Sequence, residues 1–466
     1  MRAEILTIGD ELCRGEIVDT NSSYLASQLW DLGITTRWMT SCNDEDADLA
    51  TALRLAASRA DLVICSGGLG PTEDDLTVDV LARLLGVAPE IDQPARQRME
   101  AWFAGRVEVT PIQLRQVRVP QGARVHENPV GLAPCFETLL DGVPVICMPG
   151  VPRELHAIVD RGLRARLVEL RDLQPDREVI ARQIYRVFGR GESQISQACR
   201  GLVDDVPGTS IHYQVKFPET LVKLVCRDRD QAAADARLAG LDREIRQRLA
   251  PQLYSAGDES MVERVMRRLL EAKQTAATAE SCTGGMVGEM LTRMPGSSKA
   301  FLGGAITYIN DEKERQLGVQ HATLVAHGAV SEETAREMCV GALAAFRCDH
   351  AVAITGIAGP DGGSKEKPVG TVWLGLASRG IDGVVTRKLN WPSTRDQVRL
   401  LSAWWALAMI DAAIPSSDPI EQARAKWVLE PRTIIAEGSP LVGGIAEGSP
   451  LVGGVAEGSP LVGRQK

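Results

Sequence analysis

Short apolar runs alternate with longer amphipathic segments in the first part of this chain. The apolar runs have the composition of buried strands and occupy residues 5–8, 62–65 and 143–148. Helical periodicity is found at residues 20–32, 47–59, 76–85 and 154–167. Short strands that alternate with helices predict a parallel sheet covered by helices on both faces. We therefore expect a doubly wound α/β domain with a parallel sheet at residues 1–170.

Glycines and aspartates lie in the loops that follow two of these predicted strands. Asp10 follows the first strand, and the loop after residue 65 carries Gly67, Gly68, Asp74 and Asp75. Ligands of such sheets bind beyond the carboxyl ends of the strands. Glycines beside carboxylates fit a phosphate group, with a hard divalent cation between the phosphate and the carboxylates. The two adjacent aspartates fit equally well as capping residues for the helix that begins near residue 76.

These loops, together with residues 148–154 (Met-Pro-Gly-Val-Pro-Arg-Glu), resemble a known domain. It is the molybdopterin-binding domain of the MoaB/MogA type, in the version that opens proteins of the CinA family. The resemblance implies nucleotide-pyrophosphate chemistry in some members, such as metal-dependent hydrolysis of ADP-ribose. The chain departs from the family pattern at Leu132, where we expect threonine, and at Cys135, where we expect glycine.

Residues 171–255 have the pattern of a small α+β domain. Strand-like segments at 178–188, 210–217 and 220–226 alternate with helical segments at 192–199 and 231–249. The family resemblance suggests a KH-like fold for this part. The turn Gly189-Arg190-Gly191 is not the GxxG loop with which KH domains clamp RNA. We therefore favour a structural or dimer-spacing role over RNA binding.

Two glycine-rich turns follow strand-like runs in the region 256–415. In the first, residues 279–285 (Ala-Glu-Ser-Cys-Thr-Gly-Gly) lead from a strand into a helix. A turn of this kind aims backbone N–H groups at a ligand, which makes Thr283, Gly284 and Gly285 candidate binding residues. The second is a long loop after residue 354 with five glycines between residues 356 and 370. It is either a binding loop or a tightly turned hairpin, and its candidate binding residues are Thr355, Gly356, Gly359 and Asp361.

A strand at residues 303–309 delivers Tyr308 and Asn310 to its carboxyl end, and Lys313 follows in the first turn of the next helix. A cation is disfavoured at a helix N-terminus, so this lysine is either a solvated surface residue or one whose amine is partly deprotonated. A deprotonated lysine can act as the base for a serine nucleophile. Asn310 is a candidate substrate-binding residue.

Two serines are candidates for that nucleophile, Ser281 and Ser298. We expect Ser298 to be the nucleophile, Lys313 the base and Tyr308 part of the proton path, with Ser281 as the alternative. Cys282 would need a low thiolate pKa, and no histidine lies near it in the sequence.

Arg395 and Arg399 lie near the start of the last long helical segment, which opens with a capping box at residues 394–397. Either guanidinium group can bind a substrate phosphate bidentately, and either can equally form a surface ion pair. Arg399 is our candidate for the phosphate contact.

Four motifs occur in the same order as in a known family: residues 279–285, 295–298, 307–313 and 355–373. They resemble the C-terminal domain of the CinA (competence/damage-inducible) family, of the nicotinamide-nucleotide amidase PncC type. The resemblance implies hydrolysis of nicotinamide mononucleotide to nicotinate mononucleotide and ammonia, without a cofactor. It also implies a small-molecule nucleotide substrate and a homodimer. Two alternatives remain: a dinucleotide pyrophosphatase in the first domain, and a nucleotide- or pterin-binding protein without turnover.

Composition narrows the class of protein further. The net charge of −9 argues against a nucleic-acid partner held by charge alone. No apolar run approaches the length of about 18 residues that a membrane span needs. The ten cysteines occur singly, so neither a zinc site nor a disulfide framework is expected, and the chain begins directly with a strand-like run. We expect a cytoplasmic protein with reduced thiols.

The end of the chain is repetitive. The motif Ala-Glu-Gly-Ser-Pro-Leu-Val-Gly occurs at residues 436–443, 446–453 and 456–463. A short repeat with glycine and proline in every copy cannot build a helix or a core. We therefore expect residues 416–466 to be disordered.

Overall fold

The computed structural model describes residues 1–104, 108–175, 177–431 and 433–435, which form two compact units. The first unit contains Met1–Arg182, Gly208–Ser210 and Val225–Gly240. The second contains Gln183–Pro207, Ile211–Leu224 and the chain from Leu241 onward. Within the described ranges, no helix combines the length and the apolar character that crossing a bilayer requires.

The N-terminal domain is a six-stranded sheet in the order β2-β1-β3-β8-β7-β6, with a separate pair formed by β4 and β5. Its strands are β1 Arg2–Ile8, β2 Thr35–Cys42, β3 Leu62–Ser66, β4 Pro89–Ile91, β5 Arg118–Pro120, β6 Arg124–His126, β7 Cys135–Leu140 and β8 Val143–Met148. Its helices are α1 Asp10–Cys13, α2 Thr20–Asp31, α3 Asp46–Arg59, α4 Thr77–Leu85, α5 Gln93–Phe103, α6 Pro111–Leu114, α7 Pro152–Ile158 and α8 Arg164–Asp172.

The sheet of this domain is parallel in only one part. Strands β2, β1, β3 and β8 are parallel, whereas β7 and β6 are antiparallel additions at one edge. The connection between β7 and β8 explains the difference, because it consists of Asp141 and Gly142 alone, both with positive φ. A two-residue turn can join only antiparallel neighbours. The expected coverage is confirmed, since α3 and α4 pack on one face and α2, α7 and α8 on the other.

The middle domain has four strands in the order β10-β11-β9-β12 and two helices. The prediction of a small α+β domain is confirmed, with one strand more than the sequence indicated. Its elements are β9 Val179–Phe188, α9 Glu192–Cys199, β10 Thr209–Lys216, β11 Glu219–Asp228, α10 Gln231–Leu249 and β12 Leu253–Ala256.

The C-terminal domain is a second six-stranded sheet, in the order β14-β13-β15-β16-β17-β18. Its strands are β13 Ala276–Glu280, β14 Phe301–Ile306, β15 His350–Gly356, β16 Thr371–Ser378, β17 Val384–Asn390 and β18 Thr433–Ile435. Its helices are α11 Met261–Ala272, α12 Met286–Thr292, α13 Asn310–Leu317, α14 His321–His327, α15 Glu332–Phe346, α16 Arg395–Ala413 and α17 Pro419–Leu429.

Three parallel strands at one side of this sheet carry the candidate site. Strand β13 is parallel to both β14 and β15, and β16 returns antiparallel to β15. Helices α11, α12 and α16 cover one face and α15 covers the other. The carboxyl ends of β13, β14 and β15 therefore lie side by side at one edge of the sheet.

The prediction of disorder is wrong for the described residues between 416 and 435. Helix α17 begins after Asp418, whose side chain accepts hydrogen bonds from the N–H groups of Ile420 and Glu421. Val428 on this helix is fully buried, and β18 extends the sheet beside β17. A capping aspartate, a proline at the first helical position and an apolar contact suffice for a helix here, because the repeats begin only at residue 436. The repeats themselves lie outside the described residues.

Candidate active site

The register of the C-terminal sheet brings two loop residues together. Glu280, the last residue of β13, pairs with Ile306 at the end of β14 and with Ile354 near the end of β15. Ser281 and Thr307 are the next residues of their strands, so both begin loops at the same sheet edge. The N–H of Thr307 donates to the carbonyl of Glu280 at 2.9 Å, which holds the two loop starts together.

Lys313 reaches into this edge from the first turn of α13. Its side chain is only 1% exposed, and Nζ lies 2.8 Å from the carbonyl oxygen of Thr307 and 3.4 Å from that of Tyr308. The third neighbour of Nζ is Oγ of Ser281, at 3.2 Å. Burial lowers the pKa of Lys313 below its ordinary value. The interpretation of Lys313 as a solvated surface lysine is therefore wrong.

Ser298 does not lie at this edge. It is exposed in a short 3₁₀ turn, Ser297–Lys299, just before β14, whereas Lys313 comes after that strand. A six-residue strand spans about 20 Å, so the two residues lie near opposite ends of β14. The pairing of Ser298 with Lys313 is therefore wrong, and Ser281 is the serine that contacts the lysine. The signal for this was available, because ligand sites in α/β sheets use residues that follow a strand rather than precede one.

Cys282 is unsuited to act as a nucleophile. It is buried beside Ser281, and burial raises the pKa of its thiol to about 12. The thiolate is the reactive form of cysteine, so at neutral pH this side chain is inert.

The N–H groups of the glycine turn are already partly used. The buried carboxylate of Glu280 accepts from the N–H groups of Gly285, Val287 and Gly288 at 3.0–3.2 Å. Gly284 donates to the carbonyl of Ser281 at 3.1 Å. The prediction that Gly284 and Gly285 offer their N–H groups to a ligand is therefore wrong, because acceptors of the chain itself occupy them. The role of Glu280 was not predicted from the sequence, although an acidic residue ahead of a helix start is a recognisable signal.

Two arginines of α16 contact the loops around Ser281. Nη2 of Arg399 donates to the carbonyl of Thr283 at 2.9 Å. Arg395 donates from Nη1 to the carbonyl of Gly359 at 2.8 Å and from Nη2 to the hydroxyl of Tyr308 at 3.0 Å. The side chain of Tyr308 is 58% exposed, and its hydroxyl is engaged by arginine. Its place in a proton path stays a prediction.

The long glycine loop joins β15 to β16, as in a hairpin, and starts at the same sheet edge. Oγ1 of Thr355 donates to the carbonyl of Ala329 at 2.6 Å, so this hydroxyl is used within the fold. Gly356 lies against Val372, where a Cβ would clash, and Gly359 has a φ of 88° that favours glycine. Asp361 is exposed within the loop. The loop is therefore a hairpin connection that starts beside the site, and ligand binding by these residues stays a prediction.

Asn310 is the first residue of α13 and is exposed. It lies three positions before Lys313 at the same edge, and its role as a substrate contact stays a prediction.

A separate cavity of about 560 Å³ lies at the carboxyl ends of β1, β3 and β8. Gly67 and Gly68 line it, and both have positive φ because their loop packs closely against Ile8 and Thr77. A second cavity, of about 590 Å³, shares Gln116 with the first and is lined by Leu132 among others. Cys135, in contrast, is fully buried within β7 and lines neither cavity.

The predicted metal ligands of this domain do not converge. Asp10 pairs with Arg14, and the carboxylate of Asp75 accepts from the N–H groups of Gly70 and Thr72 at 2.6 and 2.8 Å. Asp74 is exposed at the rim of the cavity. Neither Asp74 nor Asp75 caps α4, so the interpretation of these two residues as capping residues is wrong. Across the described residues, no group of three or more histidine, cysteine, aspartate or glutamate side chains fits a metal ion, and a divalent ion in this domain stays a prediction.

Comparison with known families divides the chain into the same three parts. Residues 4–168 match the probable molybdopterin binding domain, and residues 182–255 match the damage-inducible protein CinA KH domain. Residues 258–414 match the CinA C-terminal domain.

Two curated relatives are similar over nearly their whole length. A CinA-like protein of Myxococcus xanthus is 38% identical over 411 residues, which cover 88% of this chain and 97% of the relative. A putative competence-damage inducible protein of Symbiobacterium thermophilum is 42% identical over 419 residues, which cover 88% and 98%. Among solved structures, the competence/damage inducible protein CihA from Agrobacterium tumefaciens is 42% identical over 32% of this chain and 94% of its own, with a TM-score of 0.31. The chain therefore belongs to the CinA family, with a MoaB/Mog-like domain, a KH-like domain and a CinA C-terminal domain in that order.

Proposed function

We propose that the C-terminal domain is an amide hydrolase in which Ser281 is the nucleophile and Lys313 the base. The observation that carries this proposal is the 3.2 Å contact between Oγ of Ser281 and Nζ of a buried lysine. A neutral amine has two N–H donors and one lone pair. The carbonyls of Thr307 and Tyr308 can take the two donors, which leaves the lone pair for the hydroxyl of Ser281.

The substrate class follows from the family resemblance, and we propose nicotinamide mononucleotide. Oγ of Ser281 attacks the carboxamide carbon while its proton passes to Nζ of Lys313. Lys313 then protonates the leaving nitrogen, the C–N bond breaks and ammonia departs, which leaves an ester on Ser281. Water hydrolyses this ester with Lys313 again as base, and nicotinate mononucleotide is released.

The arginines of α16 support a phosphorylated substrate. Arg395 and Arg399 hold the loops on either side of Ser281, and Nε of Arg399 is buried without a partner among the described residues. A buried guanidinium N–H without an acceptor is costly, so an anionic group of the substrate is a suitable partner.

The test is release of ammonia from nicotinamide mononucleotide by the full chain. Ser281→Ala removes the nucleophile, and we expect the rate to fall at least about a thousandfold. Ser298→Ala is the matched control, because it removes the same atom from an exposed serine, and its rate should stay within about twofold of wild type. Equal losses in both variants, or none in Ser281→Ala, would contradict the proposal.

The N-terminal cavity favours a second candidate function. Its glycine loops and carboxylates at the ends of parallel strands fit a nucleotide or pterin phosphate, and its volume of about 560 Å³ suits such a ligand. We propose hydrolysis of an ADP-ribose-like dinucleotide, measured as AMP released in the presence of different divalent ions. Asp74→Asn at the cavity rim should reduce turnover, whereas the exposed neighbour Glu73→Gln should not. Tight binding without turnover would indicate a binding protein. The absence of both binding and turnover would exclude both functions for this domain.

A further inference from the structure

Glu280 is a buried carboxylate without a basic partner. It ends β13 with only 1% of its surface exposed, and across the described residues no arginine, lysine or histidine lies within ion-pair distance of it. Burying an unpaired charge is costly. Its carboxylate instead accepts from three N–H groups at the start of α12. It therefore faces the positive end of the dipole of that helix.

This arrangement bends the chain between Glu280 and α12 into one shape. The carboxylate precedes the turn in sequence but binds the N–H groups that follow it, so residues 281–285 are wrapped around it. Arg399 holds the turn from the other side through the carbonyl of Thr283. A turn fixed at its start, middle and end has little freedom to move.

The turn leaves one backbone donor available, and it comes directly after Ser281. The N–H of Ser281 donates to the carbonyl of Ile354, and those of Gly284 and Gly285 are also engaged. Among the described residues, no carbonyl or carboxylate accepts from the N–H groups of Cys282 and Thr283. Thr283 is fully buried, whereas Cys282 keeps 5% of its surface exposed, so only the N–H of Cys282 lies close to the surface.

Amide hydrolysis at Ser281 needs such a donor. When Oγ attacks the amide carbon, the carbonyl oxygen becomes an oxyanion close to the nucleophile, and donors preorganised there stabilise the transition state. The N–H that follows a nucleophilic serine is a recurring donor of this kind. We propose that Glu280 is a positioning residue, which holds the turn so that the N–H group of Cys282 serves as an oxyanion-hole donor in the Ser281 reaction. The inference rests on the proposed amidase function.

Glu280→Gln is the variant that tests it, because glutamine keeps the size of the side chain but places an NH₂ group where N–H donors converge. Loss of one preorganised donor costs about a hundredfold or more in kcat. We expect kcat for ammonia release to fall at least about tenfold with KM within about twofold, since the donor acts on the transition state. Glu289→Gln, an exposed carboxylate of the same helix, is the matched control. An unchanged kcat in Glu280→Gln would overturn the inference.

A second readout separates this inference from the choice of substrate. The rate at which phenylmethylsulfonyl fluoride labels Ser281, followed by intact mass, reports the same nucleophile and oxyanion site without any nucleotide. If wild type releases no ammonia but labels at least about tenfold faster than Glu280→Gln, the substrate is wrong and the role of Glu280 stands. Equal labelling rates would overturn that role.

A measurement on the wild-type chain covers the case in which Glu280→Gln does not fold. Amide hydrogen exchange resolved to single residues should show slow exchange at Gly285 and Val287 and faster exchange at Cys282, because only Gly285 and Val287 have acceptors. Exchange at Cys282 as slow as at Gly285 and Val287 would mean that its N–H already has an acceptor, and the inference would then be wrong.

Discussion

Replacing Lys313 with methionine separates the chemistry of the site from its stability. The side chain is buried, and methionine has nearly the same length but neither a proton acceptor nor a charge. A positioned general base contributes about a hundredfold to ten-thousandfold to the rate. We expect kcat for ammonia release to fall about a thousandfold, which corresponds to about 4 kcal/mol of transition-state free energy.

The effect on stability should be small by comparison. The variant loses the two hydrogen bonds that Nζ donates to backbone carbonyls and its contact with the hydroxyl of Ser281, which contribute about 1 kcal/mol each. It also no longer buries an amine whose protonated form is disfavoured there, as the lowered pKa of Lys313 indicates. These effects oppose each other, so we expect the free energy of unfolding to change by less than about 2 kcal/mol.

Initial rates and thermal unfolding of the same preparation measure both quantities. Lys299→Met is the matched control, because Lys299 is exposed in the turn before β14 and should leave both rate and Tm unchanged. Wild-type kcat in Lys313→Met would refute the reasoning. A loss of rate that appears only together with a loss of folded protein would assign Lys313 a structural role instead.

Two further predictions concern protonation and a buried ion cluster. The value of kcat/KM should rise with pH through the pKa of Lys313, because the neutral amine is the base, and burial places the midpoint below the 10.5 of an exposed lysine. Between the pKa of Lys313 in the folded chain and that in the unfolded chain, the unfolded chain binds more protons, so the free energy of unfolding should also rise with pH. Lys313→Met should abolish both pH dependences. A wild-type kcat/KM that does not change with pH in this range would contradict the prediction. Asp411 is 1% exposed and pairs with three arginines from α11 and α17, so Asp411→Asn should lower the free energy of unfolding by about 3–5 kcal/mol. Asp396→Asn, at an exposed position of α16, should change it by less than about 0.5 kcal/mol, and equal Tm shifts would exclude the cluster as the cause.

The two candidate serines show that sequence motifs alone do not identify the nucleophile. Both Ser281 and Ser298 belong to family motifs, and local sequence assigns either of them to a glycine-containing turn. The strand β14 separates them, because Ser298 precedes it and Lys313 follows it. The parallel pairing of β13 with β14 then brings Ser281 to the lysine. The choice between the serines is therefore a matter of strand direction and not of local chemistry.

Local patterns were sufficient for most of the helices and strands, the three domains and the presence of Lys313 in a first helical turn, because periodicity and capping act between residues close in sequence. Burial of Lys313 and its contact with Ser281 depend on residues that are distant in sequence and on how β13 and β14 pair. Those contacts exist only once the sheets have formed, since charge, pKa and hydrogen-bond partners are properties of neighbours in space.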